Sequence, residues 1–211
     1  MFQSYQGEFA ALTTAIFWTI TALAFESAGK KVGSLSVNII RLTLAFFYLG
    51  IFSLITKGIF FPEGASAHNW IWLSISGLIG FVLGDLFLFQ AYVVIGARIS
   101  MLIMSLAPPI AAIAGWLLMD ETMSAKSIMG MALTFIGISI AILARKSKDN
   151  DELKPKSSLH FKYPLKGILL AIGGAAGQGL GLVLSSYGIQ DYDPFAATQI
   201  RVITGIIGFI I

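Results

Sequence analysis

Residues 38–42 read NIIRL and residues 198–202 read TQIRV, so an arginine recurs 160 positions after the first, at 41 and at 201. Arg41 and Arg201 are the two arginines lying well inside apolar stretches. Each stands early in a hydrophobic segment, and each segment follows a small-residue-rich apolar run and a short polar turn. Such an echo implies one unit begun twice.

The composition says what kind of unit. Hydrophobic residues make up 56% of the 211 and charged residues 12%, and the mean hydropathy is +0.83. Soluble domains carry about 25% charged residues. About 20 mainly apolar residues cross the hydrocarbon layer as a helix, and the chain offers several such runs. The expected class is an all-α polytopic membrane protein. Its net charge of +3 sits mostly in one loop, which bears on orientation in the bilayer rather than on nucleic acid, so no nucleic-acid partner is expected. The absence of cysteine excludes disulfides and thiolate metal sites, and no cofactor is expected. The N-terminus has no basic region, and the first apolar run is long enough to remain a span, which argues against a cleaved signal peptide.

Taken in order, the apolar runs predict spans over 8–28, 35–56, 70–92, 99–119, 127–144, 167–190 and from Pro194 to Ile211. Trp70 and Trp72 open the third span where interfacial aromatics belong. Residues 1–146 then form a first unit of five helices. A charged, proline-containing linker follows over 147–166, and 167–211 opens a second unit with two helices. Setting the two units in register needs no gaps: Gly7, Ala11, Ala15, Ile40 and Arg41 fall on Gly167, Ala171, Ala175, Ile200 and Arg201. A five-span unit starts its second copy from the opposite side of the membrane. The result is an inverted-topology repeat, an architecture that binds substrate near the midplane between its halves. The last run is still apolar at Ile211, and the repeat spacing projects ten spans over roughly 300 residues, so the second unit is expected to be truncated here.

The stretch from Ser100 to Arg145, SMLIMSLAPPIAAIAGWLLMDETMSAKSIMGMALTFIGISIAILAR, resembles the end of an EamA-type repeat of the drug/metabolite transporter superfamily. The matching features are a mid-span proline (Pro108), an acidic residue closing the span (Glu121), a glycine opening the last helix (Gly130) and a basic end (Arg145). Arg41 in the second span and the short alanine-containing turn between the third and fourth spans match as well. The resemblance implies a 5+5 inverted-repeat fold in the cell (plasma or inner) membrane. It also implies secondary-active export of small metabolites or drug-like compounds by alternating access.

Loop charges suggest an orientation. One side collects Lys30, Lys31, Arg98, Arg145, Lys146, Lys148, Lys154, Lys156, Lys162 and Lys166, and the other only Lys57 and Lys126. The positive-inside rule then puts the linker in the cytoplasm and the N-terminus outside. The resemblance implies cytoplasmic termini, the opposite answer, and both stay open.

Among residues able to carry chemistry, Asp85 stands first. It lies deep in the third span, where an ionised carboxylate costs about 2.5–3.5 kcal/mol on insertion scales. It is the candidate to bind a cation or to carry a coupling proton. The competing reading is a structural carboxylate paired with an arginine or a neighbouring helix. Arg41 and Arg201 are candidates to hold an anionic group or to counter Asp85. The simpler expectation is that both snorkel to the nearby interface and fix helix ends. Glu26 reads as interfacial, with a coupling role as the alternative, and Glu121 as a structural helix-end residue. Gln90 is a further polar candidate within the third span. Pro108 and Pro109 remove backbone donors mid-span and predict a kink or break, of the kind that borders binding sites in transporters. Gln178 is polar at depth, and its repeat partner is Trp18; both are candidates to line a cavity.

Gly173, Gly174, Gly177, Gly179 and Gly181 imitate a phosphate-cradling loop, but no strand precedes them. The GxxxG pairs Gly177/Gly181 and Gly80/Gly84 read instead as close helix contacts. Enzyme readings lack support: His68 and His160 are isolated loop residues, and no HExxH, GxSxG or Walker A stretch is present. The rival classes are a complete seven-helix receptor and a non-transporting membrane fragment.

Overall fold

The computed structural model describes residues 6–119, 122–143 and 163–211. Among these, all regular structure is helical. Seven helices follow one another: α1 (Gln6–Val32), α2 (Ser34–Lys57), α3 (Ala67–Ile95), α4 (Ala97–Met119), α5 (Ala125–Leu143), α6 (Leu165–Ile189) and α7 (Pro194–Ile210). The first four and α6 are long and apolar enough to cross a bilayer, while α5 and α7 are shorter apolar helices. The expected spans therefore match the helices to within a few residues. Glu121 and the linker over 147–162 lie outside the described residues.

The joints are short because single glycines make them. Gly33 between α1 and α2 has φ 86°, and Gly96 between α3 and α4 has φ 82°. Both conformations are open to glycine and costly for a residue with a Cβ. Ser66 and Asn69 start α3 with a reciprocal capping box. Asp193 caps α7 by accepting from the Ala196 N–H at 2.9 Å, with Pro194 at the first helical position.

The glycine-rich α6 runs through the middle of the bundle, against α3 along its length, against α4, and beside α7. The two GxxxG pairs meet each other in antiparallel register. A Cβ built on Gly177 would come 2.5 Å from the Gly84 Cα, and one on Gly181 would come 2.8 Å from the Gly80 Cα. Only helices bare of side chains at both positions approach so closely.

The outer helices keep their apolar faces outward. Phe17 on α1 is 64% exposed, and Leu133 on α5 is 72% exposed, as suits surfaces that meet lipid tails. Thr13, Thr14 and Thr19 on α1 donate to the carbonyls of Phe9, Ala10 and Ala15 at 2.8–2.9 Å. Their hydroxyls are thereby satisfied within the helix, as an apolar solvent demands.

Two departures from ideal helix geometry occur inside spans. Residues Leu78–Gly84 of α3 form a π-helical stretch, in which the Asp85 N–H reaches back five residues to the Gly80 carbonyl. Sequence patterns gave no warning of it. The fourth helix breaks at Ser105 and Leu106, whose N–H groups bond to the carbonyls of Leu102 and Ile103, three residues back. Pro108 and Pro109 sit in the first turn of the second segment, Ala107–Met119, where their missing donors leave no vacancy. The break thus lies one turn ahead of the prolines.

Candidate functional site around Asp85

Asp85 follows the π-helical stretch and is 3% exposed. One carboxylate oxygen, Oδ2, pairs with Arg41 of α2, and the other, Oδ1, accepts from the Gln178 side chain of α6. Gln178 also donates to the Gly80 carbonyl at 3.3 Å, inside the stretch whose bonding is shifted. Asn38 of α2, fully buried, donates to the Asp85 backbone carbonyl at 3.4 Å and accepts from Arg41 at 3.5 Å. One turn back on α2, Ser34 donates to the Gln90 side-chain oxygen at 2.7 Å. Ser34, Asn38 and Arg41 thus form a polar stripe on α2, spaced by helical turns, facing Asp85 and Gln90 on α3.

The expectation that both arginines turn to the interface needs correction. Arg41 points into the bundle and is bound to Asp85. The Arg201 guanidinium lies 4.5 Å over the Phe81 ring, and that of Arg41 lies 5.6 Å from the same ring centre. A buried carboxylate and an aromatic face offer more to a desolvated guanidinium than a long reach to the headgroups. Arg41 and Arg201 therefore converge on one phenyl ring.

A cavity of about 330 Å³ opens beside the ion pair. It is lined by Arg41, Asp85 and Gln178, and by the rings of Trp18, Phe25, Phe81, Phe89 and Tyr92, among others. Trp18 and Gln178 thus face one space. The aromatic lining was missed in the sequence, although a signal existed: Phe81, Asp85, Phe89 and Tyr92 recur at helical spacing on one face of α3. Glu26 lies away from this cavity. Its Oε2 accepts from the Ala97 N–H at 2.7 Å at the start of α4, and its Oε1 pairs with Lys30. A carboxylate at a helix N-terminus satisfies an orphan donor, which gives Glu26 a structural contact there. Glu121 is outside the described residues.

At the opposite end of α3 and α6 a polar latch ties the α2–α3 loop to the α6–α7 turn. Asn69 donates to the carbonyls of Gly188 (2.8 Å) and Ile189 (3.3 Å), Gln199 to that of Phe60 (2.8 Å), and Tyr192 to that of Glu63 (2.9 Å). Lys57 and Asp193 add an ion pair at 2.8 Å. The hydrogen bond from Lys57 holds the Asp193 carboxyl below the usual carboxylate range, and the Ala196 and Phe195 N–H groups act in the same direction. A depressed folded-state pKa contributes stability above the unfolded value, near 3.9, and loses it as pH falls toward the folded value. Both side chains are part-exposed, so a double-mutant cycle on Lys57→Met and Asp193→Asn is expected to give no more than about 1 kcal/mol at neutral pH. The coupling should vanish on acidification. Thermal unfolding in detergent at neutral and acidic pH checks both points; a coupling that grows in acid contradicts them.

Apolar helices of spanning length around a buried ion pair, beside an aromatic-lined cavity, define a multi-pass membrane protein with charged groups held at depth. The EamA-like transporter family matches residues 5–143, and the chain belongs to that family. No curated protein and no solved structure matches the chain. Membership of a transporter family sets aside the seven-helix receptor.

Proposed function

We propose that the chain works as a secondary-active exporter of small metabolites or drug-like compounds by alternating access. In this reading Asp85 is the group through which a proton couples to movement. The observation that carries it is where Asp85's partners come from: Arg41 lies within the family-matched residues 5–143, and Gln178 lies on α6 beyond them. Protonating Asp85 removes the charge that holds Arg41. The same event alters the bond to Gln178, so a proton at one atom changes the contact of α3 with both α2 and α6. The latch at the far end of α3 and α6 is the natural counterpart, a closed end that must part when the cavity end closes. The linker charge supports a cytoplasmic linker.

The test is a screen in proteoliposomes holding the purified full chain, with and without an imposed pH gradient. Accumulation of a small-molecule substrate only when the gradient is present is the expected result. Equal fluxes in protein-containing and protein-free vesicles across the screen would sink the proposal.

A further inference from the structure

We infer that the cavity beside Asp85 takes an anionic small molecule with an apolar, ring-containing body, its carboxylate or comparable anion bound at Arg41 in the field of Arg201. The inference deepens the transporter reading and rests on it for the meaning of the site.

Charge is the first argument. Around Phe81 the described residues bring together two guanidinium groups and one carboxylate. Asp85 answers Arg41. Among the described residues Arg201 has no ion pair and no hydrogen bond, and its Nε is buried without a partner. The Phe81 face offsets part of the desolvation of Arg201 but accepts none of its donors. With Asp85 ionised the site therefore keeps an excess positive charge, which a ligand anion neutralises.

The free valences are the second argument, and they choose anion over cation. Both oxygens of Asp85 are already engaged, Oδ2 by Arg41 and Oδ1 by Gln178. An incoming ammonium group would have to share an oxygen already engaged by Arg41 or Gln178. Arg41, by contrast, lines the cavity, and its bonds to Asp85 and Asn38 both come from one terminal nitrogen, which leaves donors of the other terminal nitrogen unused. A guanidinium presents five donors in a planar fork that matches carboxylate and phosphate oxygens.

The walls are the third argument. Beyond the ion pair the cavity is lined chiefly by apolar and aromatic side chains: Trp18, Phe25, Phe89 and Leu88, with Tyr92. Its volume of about 330 Å³ lies at the low end of the range for small-molecule sites. A one- or two-ring body fits that space and chemistry, and a highly hydroxylated one does not.

Three probes that share a body and differ in charge test this: naphthoate, naphthylmethanol and naphthylmethylammonium. Each is titrated into the full chain in nanodiscs, read by tryptophan fluorescence, with Trp18→Phe assigning the signal to the cavity. Naphthoate is expected to bind at least about tenfold more tightly than the other two. Arg201→Gln should lose most of that preference while thermal unfolding is unchanged, and Arg201→Lys, which keeps the charge, should retain it. Equal or tighter binding of the ammonium probe, a preference indifferent to Arg201→Gln, or no binding by any probe overturns the anion assignment. The wild-type ranking alone decides if a variant does not fold. Gradient-driven transport that persists without the naphthoate preference overturns the anion site and leaves the transporter reading standing. Absence of gradient-driven transport overturns the transporter reading whatever the probes show.

Discussion

Asp85→Ala is expected to lower the unfolding free energy by about 3–5 kcal/mol, the usual result of removing one partner from a buried ion pair. The loss is large because Arg41 stays in place. Its nearest remaining acceptor is the Asn38 side chain at 3.5 Å, a weak substitute for a carboxylate, and Gln178 keeps only the 3.3 Å bond to the Gly80 carbonyl. Replacing both charged partners by apolar residues of similar size, Asp85→Leu with Arg41→Met, should recover most of the stability, since a buried pair is often no better than well-packed hydrocarbon. Transport should not recover with it. Asp85→Asn separates the two effects most sharply. It preserves shape and an acceptor for Gln178 while removing the ionisable group, so it should cost less stability than Asp85→Ala yet lower gradient-driven flux by at least about a hundredfold, which corresponds to about 2.7 kcal/mol. Denaturant unfolding in mixed micelles, run beside vesicle transport, checks the series. Unchanged transport in Asp85→Asn would remove Asp85 from the coupling step, and equal stability of Asp85→Ala and wild type would remove the pair from the fold's energetics.

Gly177→Leu should be more damaging still to folding. Even the first carbon of the new side chain falls 2.5 Å from the Gly84 Cα and 3.0 Å from the Ile79 carbonyl oxygen. These are backbone atoms, and no rotamer change moves them aside. Ordinary overpacking costs about 1–3 kcal/mol because side chains can yield; here α3 and α6 must separate. Separation also loosens the Gln178–Asp85 bond and the 2.6 Å bond from Ser76 to the Gly181 carbonyl. We expect loss of monodisperse, folded protein for Gly177→Leu and a destabilisation of at least about 2 kcal/mol for Gly177→Ala. Gly137→Ala on α5 is the matched control. A Cβ there meets nothing within 4 Å, so it should be neutral or gain up to about 1 kcal/mol from helix propensity. Size-exclusion profiles and thermal unfolding distinguish the two positions; equal tolerance would contradict the α3–α6 register.

How far each feature was legible in the sequence depended on how local its cause is. The spans were readable because lipid burial is a property of each segment taken alone: about 20 apolar residues satisfy the bilayer whatever their neighbours. The glycine pairs were readable as packing sites, since a GxxxG on an apolar helix has few other uses. A break near Pro108 was expected because a missing donor is a covalent fact. The π-helical stretch was not, because residues 78–84 carry no proline or polar signal and the bulge is set by how α3 seats against α6 and α7. The arginines were misjudged for a related reason. An arginine near a helix start has the interface as its default partner, and only the presence of Asp85 and Phe81 on the adjoining helix makes the interior better.

The aromatic wall stands between these cases. Phe81, Asp85, Phe89 and Tyr92 mark one face of α3 by spacing alone. That the face looks into a cavity with Trp18 and Gln178 rather than into lipid depends on the rotation of α3 about its own axis. The latch of Asn69, Gln199, Tyr192 and Lys57 had no sequence signal, since its partners are mostly backbone carbonyls more than a hundred residues away.

By itself, then, the sequence determined a membrane-embedded helical chain, its segment boundaries and a short roster of polar residues held at depth. Tertiary structure alone decided which of them meet: Asp85 with Arg41 and Gln178, Arg201 over Phe81, and Trp18 across a shared cavity. The physical reason is that hydropathy and periodicity report each helix against its solvent. Pairing depends on the rotation and register of one helix against another, which close-packed glycines and desolvated charges set only once the helices are together.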